Sequence, residues 1–159
     1  MPMRIGDTIP KFEGATEWLN ELQETADDYT SGLPTLVHFW ATSCGICKTN
    51  MPKLQELKAK YKDDGLRTVA IHMPRYEADT NLEAVKADIK KHCIDDVCAV
   101  DNQHKLKAAF LNEQGWVPVY YLFDAEGGLK TRAAGEFGIG VLKSALEKMF
   151  PEKTMSATA

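Results

Sequence analysis

No stretch of this 159-residue chain approaches the roughly 18 consecutive apolar residues needed to cross a bilayer. The N-terminal Met1-Pro2-Met3-Arg4-Ile5-Gly6-Asp7 lacks the apolar core of a secretory leader. With Met1 as the native start, a cytoplasmic protein with mostly reduced cysteines is expected; with a leader or anchor removed, an extracytoplasmic one. Clusters of Lys and Arg are missing too. The 19 basic and 23 acidic side chains leave a net charge of −4 and are interspersed, which argues against a nucleic-acid surface and suits solvated helix faces. Internal repeats and linker-like segments are absent, and cysteine is scarce, with four in all.

What remains is ordinary globular composition, 44% apolar and 26% charged, with enough chain for one real core. A single domain over residues 1–150 is expected, with a disordered tail at 151–159. Two of the four cysteines carry the strongest signal. Cys44 and Cys47 stand in Trp40-Ala41-Thr42-Ser43-Cys44-Gly45-Ile46-Cys47-Lys48, directly after the apolar run Thr35 to Trp40. A C-x-x-C pair at a strand-to-helix junction puts two sulfurs one helical turn apart, within disulfide reach. The first sits where unpaired N–H groups and the helix dipole favour a thiolate, the attacking species of thiol–disulfide exchange. The second is placed to resolve the mixed disulfide.

Hydrophobic periodicity and turn residues organise the rest. Ile5 to Phe12 reads as a short strand, and Trp18, Leu19 and Leu22 as a short amphipathic helix from about Thr16. Thr35 to Ala41 is a central strand buried on both faces. A helix from Cys44 to about Lys62 follows, with Leu54, Leu57 and Tyr61 inward and Pro52 kinking it. Leu66 to Met73 is a strand closed by Pro74, Leu82 to His92 a helix, Asp96 to Val100 a strand and Gln103 to Leu111 a short helix. Val119 to Phe123 turns through Asp124-Ala125-Glu126-Gly127-Gly128 into Leu129 to Ala134, and Val141 to Phe150 closes the domain as a helix. This order predicts an α/β fold, a mixed central sheet with helices on both faces.

Phe39 to Lys48, Met51-Pro52 and Leu54, then Gly65 to Pro74, Trp116-Val117-Pro118 and Tyr121 to Gly127 resemble thioredoxin-fold proteins of the TlpA type, in order and spacing those of the DipZ-like branch. The match covers roughly residues 33–150. The resemblance implies a three-layer α/β/α thioredoxin-like fold with an N-terminal extension. It implies that Pro118 is a cis-proline facing the dithiol, that Val117 offers its backbone to an extended substrate segment, and that the Trp40 ring lies beside the active site. Four positions depart from the pattern. Ser43 replaces the tryptophan before the first cysteine and Ile46 the proline between the pair. His38 stands where thioredoxins bury an aspartate, and Asn50 where some TlpA-type reductases carry a glutamate. With both acids missing, His38→Asp is expected to restore proton transfer to Cys47.

Each of these residues also has a structural reading. His38 suits a satisfied core histidine, or the proton carrier for Cys47. Trp40 suits a core aromatic, and Trp116 a binding surface or core cover. Lys48 is a nearby cation. His72-Met73-Pro74-Arg75 is a strand end and a loop that could border the site. Cys93 and Cys98 read as buried, inert thiols. A zinc site that completes Cys44 and Cys47 with Cys93, Cys98, His92, His72 or His104 needs four converging ligands, and Cys93 and Cys98 are expected on a different side of the sheet from that pair. No metal and no bound cofactor are therefore called for. The expected activity is thiol–disulfide oxidoreduction by Cys44 and Cys47, with Gly45 and Ile46 shaping the dithiol turn. Partners are disulfide-containing proteins and an external thiol reductant, and a monomer is expected. The rivals are an oxidase or isomerase using the same pair, or a weakly active binding module of the same fold.

Overall fold

The computed structural model describes residues 1–151; the expected tail lies almost wholly outside them. Its centre is a six-stranded sheet built from β1 (Glu17–Leu19), β2 (Thr35–Trp40), β3 (Arg67–His72), β4 (Val97–Val100), β5 (Val119–Phe123) and β6 (Leu129–Ala134). The strand order is β1-β4-β3-β2-β5-β6. The inner strands β2, β3 and β4 run parallel, and β1, β5 and β6 are added antiparallel. All six residues of β2 are buried, as a parallel central strand covered on both faces requires.

Five helices connect and cover the strands: α1 (Ala26–Thr30), α2 (Gly45–Lys62), α3 (Leu82–Lys91), α4 (Lys105–Ala109) and α5 (Gly138–Met149). Alternation along β2 sends Leu36, His38 and Trp40 to one face and Val37 and Phe39 to the other. The Phe39 side receives Phe110, which follows α4 and meets the rings of Phe12, Phe39, Tyr121 and Phe123. The His38 side receives α2, whose Leu54, Leu57 and Tyr61 are buried as the sequence predicts; Tyr61 stacks on Phe150 beyond α5. Pro52 lies inside α2 on its exposed side.

The N-terminal third departs from the sequence reading. Ile5 to Phe12 is not a strand: it carries Gly6 at a left-handed φ of 92° and makes one isolated bridge, Thr8 to Gly128. Its backbone instead grips the β5–β6 hairpin through Gly6 N–H to Leu129 O and Ile9 N–H to Gly127 O, both 2.8 Å. The helix expected from Thr16 is the edge strand β1, paired with β4 from Glu17↔Val100 to Leu19↔Cys98. Sheet pairing there overrides a helical spacing of three apolar residues. Asn20, at φ 54°, then turns the chain and donates its side-chain amide to the carbonyls of Ile94 and Asp96.

Candidate active site

β2 delivers the chain to the dithiol. Past Trp40, the segment Ala41-Thr42-Ser43 leads to Cys44, which is the N-cap of α2 with extended backbone, φ −92° and ψ 100°. The Cys44 sulfur accepts the Cys47 N–H at 3.0 Å, so it occupies the place a serine or aspartate oxygen takes in an ordinary cap. The two Cα atoms are 5.3 Å apart and the sulfurs are joined as a disulfide. An attacking sulfur calls for the more open position of the two, and a resolving one for the more shielded. In fact both are 2% exposed, while Gly45 and Ile46 between them reach solvent.

Antiparallel pairing brings Val117 and Pro118 to the same end of the sheet. Phe39 registers with Val119, so the preceding Pro118 arrives beside Trp40, and the Val117–Pro118 peptide bond is cis. Asn112 fixes the approach to it, donating to Trp116 O at 3.0 Å and accepting from Trp116 N–H at 3.1 Å. Gly135 N–H donates to Pro118 O at 2.9 Å, and Asn50, one turn past Cys47 on α2, donates to Glu136 O at 3.2 Å. Asn50 thus ties the dithiol helix to the loop against the cis-proline. Trp40 is 1% exposed, with its ring edge-on to His72. Trp116 is 48% exposed, with its indole N–H on Gln114.

His38 is buried, and its Nε2 lies 2.9 Å from Oδ2 of Asp96. Lys58 of α2 closes on Oδ1 of the same carboxylate and also reaches Asp95 and Gln55. Burial alone would raise the Asp96 carboxyl. The hydrogen bond from His38 and the Lys58 ammonium outweigh it and hold the group well below the usual range. Positions 38 and 50 carry no acid, as the sequence shows, but a buried acid stands beside His38: it enters from the start of β4 instead of from β2. The sequence hint was the Asp95-Asp96 pair directly before an apolar strand.

A second carboxylate organises the approach to Cys44. Asp79, in the 3-10 turn Glu77–Thr80 after β3, accepts from the hydroxyls of Thr42 at 2.8 Å and Ser43 at 2.7 Å. It also accepts the N–H groups of Arg75 and Tyr76. His72, at the end of β3, accepts the Thr42 N–H on Nε2 at 3.1 Å, and burial pulls its pKa down to about 4. The segment beyond β3 therefore does border the site.

The remaining cysteines stand apart from the disulfide. Cys93 is exposed at the end of α3 and Cys98 fully buried, where desolvation pushes its thiol up to about 12 and leaves it unreactive. Cys98 registers with Ala70 and through it with His38, so it shares the α2 side of the sheet instead of lying on a different one. Among the described residues no group of three or more His, Cys, Asp or Glu is placed to hold a metal ion.

Comparison with known proteins agrees with this geometry. The thiol–disulfide oxidoreductase YkuV of Bacillus subtilis is 37% identical over 150 residues, covering 94% of this chain and 99% of that protein. The DipZ protein of Mycobacterium tuberculosis is 30% identical over 148 residues, 89% of this chain but 20% of DipZ. A solution structure of a thioredoxin-like protein in the oxidized form superposes with a TM-score of 0.82 at 37% identity, covering 94% and 99% of the two chains. The Redoxin family model matches residues 4–148. With a thioredoxin-like fold and a Cys44–Cys47 pair at bonding distance, the chain belongs to the Redoxin family, in its TlpA/DipZ-like group of thiol–disulfide oxidoreductases.

Proposed function

We propose that the pair works in the reducing direction on protein disulfides, with Cys44 as nucleophile. The observation that carries the assignment is the Cys47 N–H donated to the Cys44 sulfur at the head of an 18-residue helix, an arrangement that stabilises a thiolate at Cys44. From the dithiol state, the Cys44 thiolate attacks one sulfur of a substrate disulfide. A Cys44–substrate S–S bond forms and the other substrate sulfur leaves as thiolate. Cys47, deprotonated, then attacks Cys44 Sγ; the Cys44–Cys47 bond forms and the second substrate thiolate departs. Two electrons pass to the substrate, and an external dithiol returns them by the reverse exchange.

Val117, before the cis bond, is read as the backbone partner of an extended substrate segment, with Pro118 and Trp40 shaping the wall behind the dithiol. Four exposed apolar side chains lie on the segments that converge there: Ile46, Tyr76, Trp116 and Phe137. Such a rim suits a protein substrate rather than a small polar one. His38 is read as the link between the sheet and the Asp96 carboxylate. We read the protein as a monomer, and its exposed, unpaired Cys93 as suited to a reducing compartment.

The test is reduction of insulin by the full chain with dithiothreitol as donor. Cys44→Ser is expected to abolish turnover and Cys47→Ser to accumulate mixed disulfides. Equal residual activity in both variants would remove Cys44 as nucleophile.

A further inference from the structure

The residue before Cys44 is the most heavily tethered part of the site. Ser43 donates its hydroxyl to Asp79 at 2.7 Å and accepts Arg75 Nε at 3.2 Å and Nη2 at 3.1 Å. The same Nη2 donates at 2.8 Å to the Ser43 carbonyl, which belongs to the peptide bond joining Ser43 to Cys44. Asp79 is 2% exposed. Burial disfavours its charge, but the hydrogen bonds from Ser43, Thr42 and the N–H groups of Arg75 and Tyr76 more than compensate and keep its carboxyl below the ordinary value. The segment is braced from behind: His104 Nε2 lies 2.8 Å from Pro74 O, and the Asn112 amide reaches Met73 Sδ. Arg75 itself is exposed, with its guanidinium over the Tyr76 ring and no carboxylate ion-paired to it among the described residues.

We propose that Arg75, oriented by the Asp79 carboxylate, is a positioning residue for the nucleophile: it locks the Ser43 peptide that aims Cys44 and supplies the cation that stabilises its thiolate. The inference rests on Cys44 being the attacking cysteine. A planar guanidinium suits the task because its Nε and Nη2 fork onto the Ser43 hydroxyl while Nη2 also holds the carbonyl, a fixed fork that the single nitrogen of an ammonium does not offer. The other charged or titratable groups on the surrounding elements are placed differently. Lys48 of α2 is ion-paired with Asp88 of α3 at 3.4 Å, His72 is turned to Thr42 N–H, and Glu136, ahead of α5, is held at its carbonyl by Asn50. Asp79 offers the opposing charge, spread over four donors.

The test uses the reduced full chain and follows iodoacetamide labelling of Cys44 against pH, resolved by mass spectrometry from the exposed Cys93. It is paired with the rate of exchange with oxidised glutathione. Arg75→Met is expected to move the Cys44 midpoint up by about 0.5 unit or more, a guanidinium near a thiolate being favourable but screened at the surface, and to slow exchange at pH 7 about threefold or more. Arg75→Lys should return the midpoint toward wild type while exchange stays slow, because charge returns without the two-pronged contact. Asp79→Asn should slow exchange as well. Should it fail to fold, Arg75→Met, at an exposed site, still decides. A wild-type midpoint and exchange rate in folded Arg75→Met would overturn the proposal. If wild-type Cys44 itself labels like a free thiol and does not exchange, the nucleophile assignment fails instead.

Discussion

His38 Nε2 and Asp96 Oδ2 face each other at 2.9 Å in the interior, with Lys58 on the other carboxylate oxygen. The ring that replaces a family aspartate on β2 thus recruits an aspartate from the entrance to β4. Because both Asp96 and Lys58 are buried, removing the Asp96 charge leaves the Lys58 ammonium with only the exposed Asp95 carboxylate and the Gln55 amide. Asp96→Asn is expected to cost about 3 kcal/mol or more in urea unfolding at pH 7. The carboxyl is held below its ordinary value in the fold, so its contribution is fully present above about pH 4 and is lost as pH falls below that. The variant's acid limb should therefore be flatter than the wild type's. A loss at pH 7 of less than about 1 kcal/mol would mean that the network is not closed as described.

The same contact reverses what the sequence alone suggests for position 38. His38→Asp would set two carboxylates against each other in a buried place, where one must keep its proton or the fold must open. The variant is expected to melt lower than wild type, without faster insulin reduction. A more active, equally stable His38→Asp protein would show that Asp96 does not occupy this position in solution.

His72 supplies a separate pH dependence. Its folded pKa of about 4 lies below the ordinary imidazole value of about 6.5, because the buried ring resists protonation. Between those values the unfolded chain binds the extra proton, so stability rises with pH, is fully present above 6.5, and falls away toward 4. The loss is on the order of 3 kcal/mol across that window. Urea midpoints for wild type and His72→Gln at pH 7.5 and 5.0 check it: the wild-type drop should shrink in the variant. An equal drop in both would assign the slope to other groups.

Most of the architecture was legible because the largely apolar β2, β3 and β5 are bounded by unmistakable turns, the Asp124 to Gly128 turn hands β5 on to β6, and Cys44 marks a helix start by its own chemistry. What stayed hidden was long-range. Trp18, Leu19 and Leu22 have a spacing that fits a helix, and only the free edge of β4 makes the first two part of a strand. Asp79 and Arg75 lie more than thirty residues beyond Ser43, and nothing local tells a solvated loop from a clamp folded back on the nucleophile. Asp96 was placed at a strand start, but its pairing with His38 depends on the register across β2, β3 and β4.

The redox poise follows from how charge is arranged around Cys44. A thiolate there would keep the Cys47 N–H at the head of α2, and Arg75 holds a cation on the adjacent peptide. The carboxylates organised around the site are largely spent. Asp79 is shared among four hydrogen-bond donors, and Asp96 is ion-paired with Lys58 and hydrogen-bonded to His38. Stabilisation of the thiolate therefore outweighs repulsion, and Cys44 is expected to titrate clearly below the free-thiol value of about 8.5. Stabilising the thiolate stabilises the reduced dithiol, which makes the disulfide more oxidising. The potential should accordingly lie above the roughly −270 mV of thioredoxin, toward the glutaredoxin range of about −200 to −230 mV. Equilibration against glutathione redox buffers gives the potential, and the pH dependence of Cys44 alkylation gives the titration. A potential below about −270 mV, or a Cys44 midpoint above about 8.5, would mean that the carboxylates dominate after all and that insulin reduction should be fast.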